Sequence, residues 1–464
     1  MSAASRSTWQ RLKADVVDAG ICTHCGACAG LSKGTLQMHE TAAGPIPMAQ
    51  GQVDLPPLAY DACPGKGINY PAATKAFFGH LPQNWLLGCY RQLYIGRAAS
   101  PDIRRRAASG GVISQTLIYL LETGRIDGAV VLQQGRPRPW QAEPVIARTP
   151  DEIMAAAQSV YVPAPVNTIL PQMEAFAGRL GFVGLPDQVA SLRILQEAGH
   201  EGASKVECVL GPYVGTSMYL GAIESFLRAN GVKSLAQVAA LRYREGEWPG
   251  YLQVTLRDGR VLRAKKFYYN YLIPFYITQA SLQAVDFSNE LTDISVGDAW
   301  SPQYEKQGEG FSVVVARSEL GQAILQQMAC DDLLTLEETT AEDAMSMHGH
   351  MLDFKKRGAF IRNNWRAQAG KRAPRYGYRP EHIPPTRKMV ELVIVLLFSV
   401  CRTRVARRLV QWVPLGLIGP LFDVLRRSWK AASKPVKRKG LGGASFVIQQ
   451  GAASDMAQEQ AEWT

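Results

Sequence analysis

From Cys89 onward, short apolar runs alternate with longer stretches of helical periodicity. Gln92 to Arg97 reads as a strand. Val112 to Glu122 is an apolar run at helical spacing that stops near Gly124, and Ile126 to Leu132 is a continuous, buried-type strand. Strand, small-residue turn, helix and strand predict a βαβ unit with a right-handed crossover. Residues 151–178 read as helix broken by Tyr161-Val-Pro163-Ala-Pro165, and Leu180 to Leu185 as a strand running into Gly184-Leu-Pro186-Asp187. Gln188 to Ala198 is a helix ended by Gly199, and Val206 to Gly215 a strand and loop. Residues 240–268 alternate around Asp258-Gly259 and predict a hairpin. Leu291 to Trp300 is a strand ending in a polar turn, Phe311 to Arg317 a central strand, and Leu320 to Met328 a helix. The fold class is therefore α/β (α+β), with a mixed core.

Both ends depart from this pattern. The first 87 residues read as loop-rich, with a Pro/Gly-rich insertion from Gly44 to Pro57. Near the other end, the apolar stretch from Leu392 to Cys401 covers 10 residues, against roughly 20 for a spanning helix. A second stretch, Leu409 to Leu425, carries Trp412, Pro414 and Pro420 and ends in Arg426-Arg427-Ser-Trp429-Lys430. Short apolar helices flanked by Arg and Trp have the composition of a membrane-surface anchor. A helical hairpin packed on the protein or on a partner subunit has it too. The division predicted is 1–87, 88–170, 171–350, 351–430 for the basic tail, and 431–464 as a flexible end.

Composition changes the picture in two ways. The 464 residues are 47% hydrophobic, ample for a sizeable core. The net charge of +11 is local: residues 353–439 hold 22 Lys and Arg against 4 Asp and Glu, a net +18, which leaves −7 elsewhere. A mildly acidic body and an aliphatic-rich basic tail argue against nucleic acid as a partner. The polar stretch Met1 to Arg11 has no apolar signal core, so the expected location is cytoplasmic, peripheral at the inner face of the membrane if the tail anchors.

The chemistry begins at Cys22-Thr-His-Cys25-Gly-Ala-Cys28, joined by a remote Cys63-Pro64-Gly65. Three cysteines at two-residue gaps, and a fourth followed by proline, make a ferredoxin-like signature for one 4Fe–4S cluster. A four-cysteine zinc site is the chemical rival, although it usually takes two separated C-x2-C pairs. Cys89, Cys208, Cys330 and Cys401 show no paired spacing, so no disulfide framework is expected. His24 lies inside the cysteine loop, either tuning the potential of a cluster there or, as the main expectation, simply exposed.

Several stretches together resemble the beta subunit of coenzyme F-420 hydrogenase/dehydrogenase and its relatives. They are the four cysteines, ASGGVISQTLIYLLETGRIDGAVV from Ala108, AQSVYVPAP from Ala157, FVGLPDQVASLR from Phe182 and DFSNELTDISVGDAW from Asp286. The resemblance implies an iron–sulfur oxidoreductase that binds FAD. Ser109, Gly110 and Gly111 at a helix start suit a pyrophosphate or flavin edge, and Gln158, Ser159, Tyr161 and Gly184 follow as flavin contacts. Asp293, Ser295, Gly297 and Asp298 form a polar strand end, with Asp298 and Asp187 as candidate proton donors. Lys355 is placed to neutralise a phosphate or a reduced flavin, or else belongs to a solvated basic face. Many relatives carry further cysteines for a second cluster. Asp187, Val214, Ser281 and Ala284 stand at those places here, so one cluster is predicted. The implied function is electron transfer between a ferredoxin-like or deazaflavin carrier and a substrate. The alternatives are a ferredoxin-dependent reductase of a C=C bond in a tetrapyrrole or lipophilic substrate, an electron-relaying subunit, and a zinc-stabilised scaffold of polysaccharide production.

Overall fold

The computed structural model describes residues 6–265, 269–413 and 415–449. Its N-terminal segment contains a hairpin, β1 (Leu36–Thr41) and β2 (Gly44–Ala49). Next in chain order come β3 (Gln92–Ala98), β4 (Gly128–Gln134), β5 (Ala142–Ala147), β6 (Leu180–Val183) and β7 (Val206–Pro212). A separate three-stranded sheet follows: β8 (Val238–Glu245), β9 (Tyr251–Leu256) and β10 (Val261–Lys265). The remaining strands are β11 (Ile294–Asp298), β12 (Ser312–Ala316), β13 (Leu334–Glu338), β14 (Tyr378–Pro380) and β15 (Phe446–Ile448).

Eight strands form the main sheet in the order β13-β3-β12-β11-β7-β6-β4-β5. Strands β4, β6, β7 and β11 run parallel at its centre, with antiparallel pairings on both flanks. Burial on both faces explains why β12, Ser-Val-Val-Val-Ala, reads as an unbroken apolar run. Leu117, Leu120, Ile324 and Met328, from the helices Val112–Glu122 and Glu319–Cys330, fill one face. Val189, Leu192 and Leu195, from the helix Pro186–Glu197, fill the other together with Leu12, Leu36 and Leu55 of the N-terminal segment. Each such side chain, fully buried, contributes about 1.5–3 kcal/mol.

The expected strand, helix and strand unit is present as a wide crossover: β3 and β4 run parallel in one sheet, with β12, β11, β7 and β6 between them. Three expectations are corrected. Part of the expected Gly44–Pro57 loop is strand β2, because the chain reverses after Thr41, whose hydroxyl donates to the Gly44 carbonyl at 2.7 Å. The end from 431 is not wholly irregular: the helix Leu415–Arg438 enters it, and β15 pairs with β14 while Phe446 stacks on Trp85. Residues 450–464 lie outside the described residues. The tail's first cations are also no solvated face. Arg387 is fully buried between Asp353 and Glu391, Arg362 pairs with Glu391, and Lys356 pairs with Glu290.

Candidate cofactor site

Cys22, Cys25, Cys28 and Cys63 line one small cavity of about 20 Å³, closed by Leu12, Val16, Met38, Pro47 and Ala59. The loop can turn here because Gly26 adopts φ +88°, and a Cβ on it would stand 2.9 Å from Pro165 and Thr168. The Asn167 amide donates to the Cys25 carbonyl at 2.9 Å and fixes the loop on the short turn Val166–Ile169. Burial pushes the Cys22 thiol up to about 12, partly offset by the His24 amide, and raises the other three thiols too. No three His, Cys, Asp or Glu side chains among the described residues are drawn together at metal-holding distance, so the thiols share a pocket without converging on a point. His24 is buried, against expectation: its Nδ1 lies 2.8 Å from the Pro45 carbonyl, and β2 covers it.

A second cavity, of about 2170 Å³, opens at the carboxyl ends of the parallel strands, where α/β sheets bind ligands. Of the residues singled out in the sequence, Ser109, Gly111, Gln158, Ser159, Tyr161, Gly184, Gly297 and Asp298 line it. Gly111 has φ +78° and precedes the helix Val112–Glu122 without a side-chain cap, so first-turn N–H groups have no such partner. Ser109 Oγ donates to the Phe311 carbonyl at 2.8 Å and anchors this turn on the sheet.

Five residues fall elsewhere. Gly110 does not line the cavity: a Cβ there would stand 2.7 Å from the Gly96 carbonyl oxygen, so this glycine lets the turn sit on β3. Asp293 immediately precedes β11, at the end away from Asp298, ion-paired to Arg193 at 2.9 Å and accepting from the Val209 amide at 2.8 Å. Ser295 is fully buried and accepts from Arg317 at 3.0 Å. Lys355 is also buried, donating to the Ser281 carbonyl at 2.8 Å. Asp187 lies near Lys355, Cys22 and Cys63. Desolvation pushes its carboxyl up to about 7, and the same cause brings the Lys355 ammonium down to about 7.

Sequence reasoning missed the residue that ties the cavity together. Arg244 of β8 pairs with both Asp298 oxygens at 3.3 Å, donates to the Tyr161 hydroxyl at 3.1 Å, and donates to the Ala108 carbonyl. The β8/β9 register shifts between Arg242 and Glu245, and such a shift re-aims side chains. Trp248 Nε1 donates to Asp298 at 2.9 Å. Around the cavity, the Tyr213, Tyr243, Tyr269 and Tyr271 hydroxyls, Arg244 Nε and His348 Nε2 are buried with no hydrogen-bond partner among the described residues. Burial brings His348 down to about 4, so its ring is neutral near pH 7.

The two cavities share a wall. Ala164 and Val166 line the large one, while Pro165 and Thr168 press on Gly26 of the cysteine loop. An α/β sheet with a thiol pocket and a large cavity, divided by one short segment of chain, is the arrangement the fold defines. Residues 93–171 match the N-terminal part, and residues 177–342 the C-terminal part, of the coenzyme F420 hydrogenase/dehydrogenase beta subunit, and the chain belongs to that family. It is 27% identical over 252 residues to coenzyme F420 hydrogenase subunit beta of Methanothermobacter thermautotrophicus, covering 52% of this chain and 82% of that protein. It is 23% identical over 341 residues to the coenzyme F420-dependent sulfite reductase of Methanocaldococcus jannaschii, covering 70% of this chain and 48% of that protein. A chain of the F420-reducing NiFe hydrogenase complex from Methanosarcina barkeri shares the fold, with a TM-score of 0.50 at 22% identity over 63% of this chain and 98% of its own. The basic tail lies beyond the family match, which ends at residue 342.

Proposed function

We propose that the chain is a cytoplasmic redox subunit holding one 4Fe–4S cluster on Cys22, Cys25, Cys28 and Cys63 and FAD in the large cavity. It would pass electrons between a carrier, either ferredoxin-like or a deazaflavin of the F420 type, and a substrate or partner subunit. The shared wall carries this reading: two sites suited to redox groups stand on opposite sides of the segment Ala164–Thr168. The donor set fits a cubane, which takes one thiolate per iron. The unpartnered buried hydroxyls and Arg244 Nε suit a large polar ligand, since a buried polar group left unpaired costs about 1–3 kcal/mol. A flavin supplies the exchange between one-electron and two-electron steps. Ser109 and Gly111 would orient its polar edge, Asp298 would hold Arg244 charged beside it, and the neutral His348 would offer its unpartnered Nε2 as a hydrogen-bonding group.

The relatives named for F420 chemistry support a redox role, and the structural neighbour's place in a hydrogenase complex supports a partner subunit here. A single cluster is supported by what stands where relatives carry further cysteines. Asp187 lies near the buried Lys355 ammonium, which donates to the Ser281 carbonyl, so neither position holds a thiol.

The test is an anaerobic absorption spectrum with iron, sulfide, zinc and flavin quantified on one sample. About four irons and one flavin per chain are expected, and Cys63→Ser should remove the iron. Zinc without flavin, or unchanged iron in the variant, would overturn the reading.

A further inference from the structure

We propose that the C-terminal helices dock on an anionic lipid bilayer and turn the mouth of the large cavity toward it, so that the cavity takes a lipophilic substrate from the membrane. Of the 19 large hydrophobic residues exposed among the described residues, 14 lie between Met389 and Trp429. On the helix Pro385–Cys401 they recur as Met389, Leu392, Val393, Leu396 and Val400, an outward stripe at helical spacing. The opposite side of that helix buries Arg387, Glu391 and Ile394. The apolar stripe is therefore not a misplaced core face, because its helix already has one.

Charge selects the occupant. Residues 387–439 hold 13 Lys and Arg against two acids, Glu391 and Asp423, and both acids are buried and paired with arginines. The accessible rim, including Lys388, Arg404, Arg408, Arg427, Lys430 and Lys434, is thus wholly cationic around an apolar centre. Trp412 is 85% exposed, and tryptophan favours the boundary between headgroups and acyl chains. No described helix is long and apolar enough to cross a membrane, so these helices would lie in the interface.

The same helices frame the mouth. Val393 and Leu397 on one, and Leu425 and Trp429 on the other, both line the cavity and are exposed. The opening therefore sits within the apolar surface, and a substrate entering there leaves one apolar phase for another. This inference rests on the tail and the cavity mouth, and the redox reading gives the cavity its use.

The full-length protein, purified anaerobically as Cys330→Ser and labelled with bimane at Cys401, is mixed with vesicles of phosphatidylcholine alone or with about one-third phosphatidylglycerol. Sedimentation with the anionic vesicles only, released by high salt, is expected. Each exposed rim cation changed to Gln should cost about fivefold in partitioning, the fold-change for about 1 kcal/mol per cation at an anionic surface. Leu396→Glu with Leu421→Glu should abolish binding at unchanged iron and flavin content. Doxyl-labelled lipid should quench the bimane, since Cys401 lines the cavity. Absence of anionic-vesicle binding overturns docking, as does a lipid-free dimer that the two glutamates dissociate. Binding without quenching overturns the placement of the mouth. Vesicle binding by a protein without flavin or iron leaves docking intact and defeats the redox reading instead.

Discussion

Removing the Arg244 guanidinium tests the architecture of the large cavity most directly. Its side chain is 2% exposed and that of Asp298 16%, so the pair is largely withdrawn from water. The carboxylate in turn holds the guanidinium firmly protonated. Deleting one partner of a buried pair costs about 3–5 kcal/mol, because the other charge stays buried. Partial exposure of Asp298 and its retained bond from Trp248 put Arg244→Met near the lower figure, about 3 kcal/mol. The Ala108 carbonyl and Tyr161 hydroxyl lose the same donor, so the turn at Ser109 should loosen and flavin occupancy should fall. The assay is urea unfolding at pH 7 and near pH 4, followed by circular dichroism. The loss should shrink at the lower pH, where Asp298 without its cation takes up a proton. Asp298→Asn added to Arg244→Met removes the orphaned charge and should recover about 1–2 kcal/mol, a coupling of the size expected for contacting residues. A single variant within about 1 kcal/mol of the parent, or a double variant no more stable than the single, would refute the reasoning.

Two further outcomes follow from the same geometry. His348 has its folded pKa lowered from 6.5 to about 4, so the unfolded chain binds a proton that the folded chain does not. Its contribution to stability is full above pH 6.5 and is lost as pH falls toward 4, by up to about 3 kcal/mol. His348→Gln should lessen the fall in melting temperature across that window, which His350 shares, and an unchanged profile would show that His348 does not contribute to it. Gly110→Ala brings a Cβ to 2.7 Å from the Gly96 oxygen and 3.0 Å from Ser312 Oγ, costing about 1–3 kcal/mol by overpacking. Gly442→Ala, in open space, is the control, expected within about 0.5 kcal/mol of the parent.

Much of this protein is legible in one dimension because its causes are local. The helix Val112–Glu122 and the strand Gln92–Ala98 follow from periodicity and from Gly124, and they lie within a residue of where the pattern puts them. The four cysteines are marked by spacing, and their common pocket needs only that the two segments meet. Asp293 stands just before β11 and Asp298 ends it, and alternation sets Ser295 on the opposite face from Asp298, but the arginines that reach Asp293 and Ser295 come from distant segments that the local pattern does not show. Arg244 enters the cavity through a register shift set by pairing with β9, and nothing in its neighbours announces that. The basic tail shows why composition is a coarse guide. The 22 cations of residues 353–439 look alike in sequence, but Arg387, Arg362 and Lys356 find buried carboxylates while Arg404 and Arg408 do not. Sequence alone thus determined many of the core elements and the thiol set, since period, turn residues and spacing act within a few residues. The tertiary structure decided which charges are paired, which strand ends face the cavity and which apolar stripe stays uncovered, because each depends on partners brought together from distant parts of the chain.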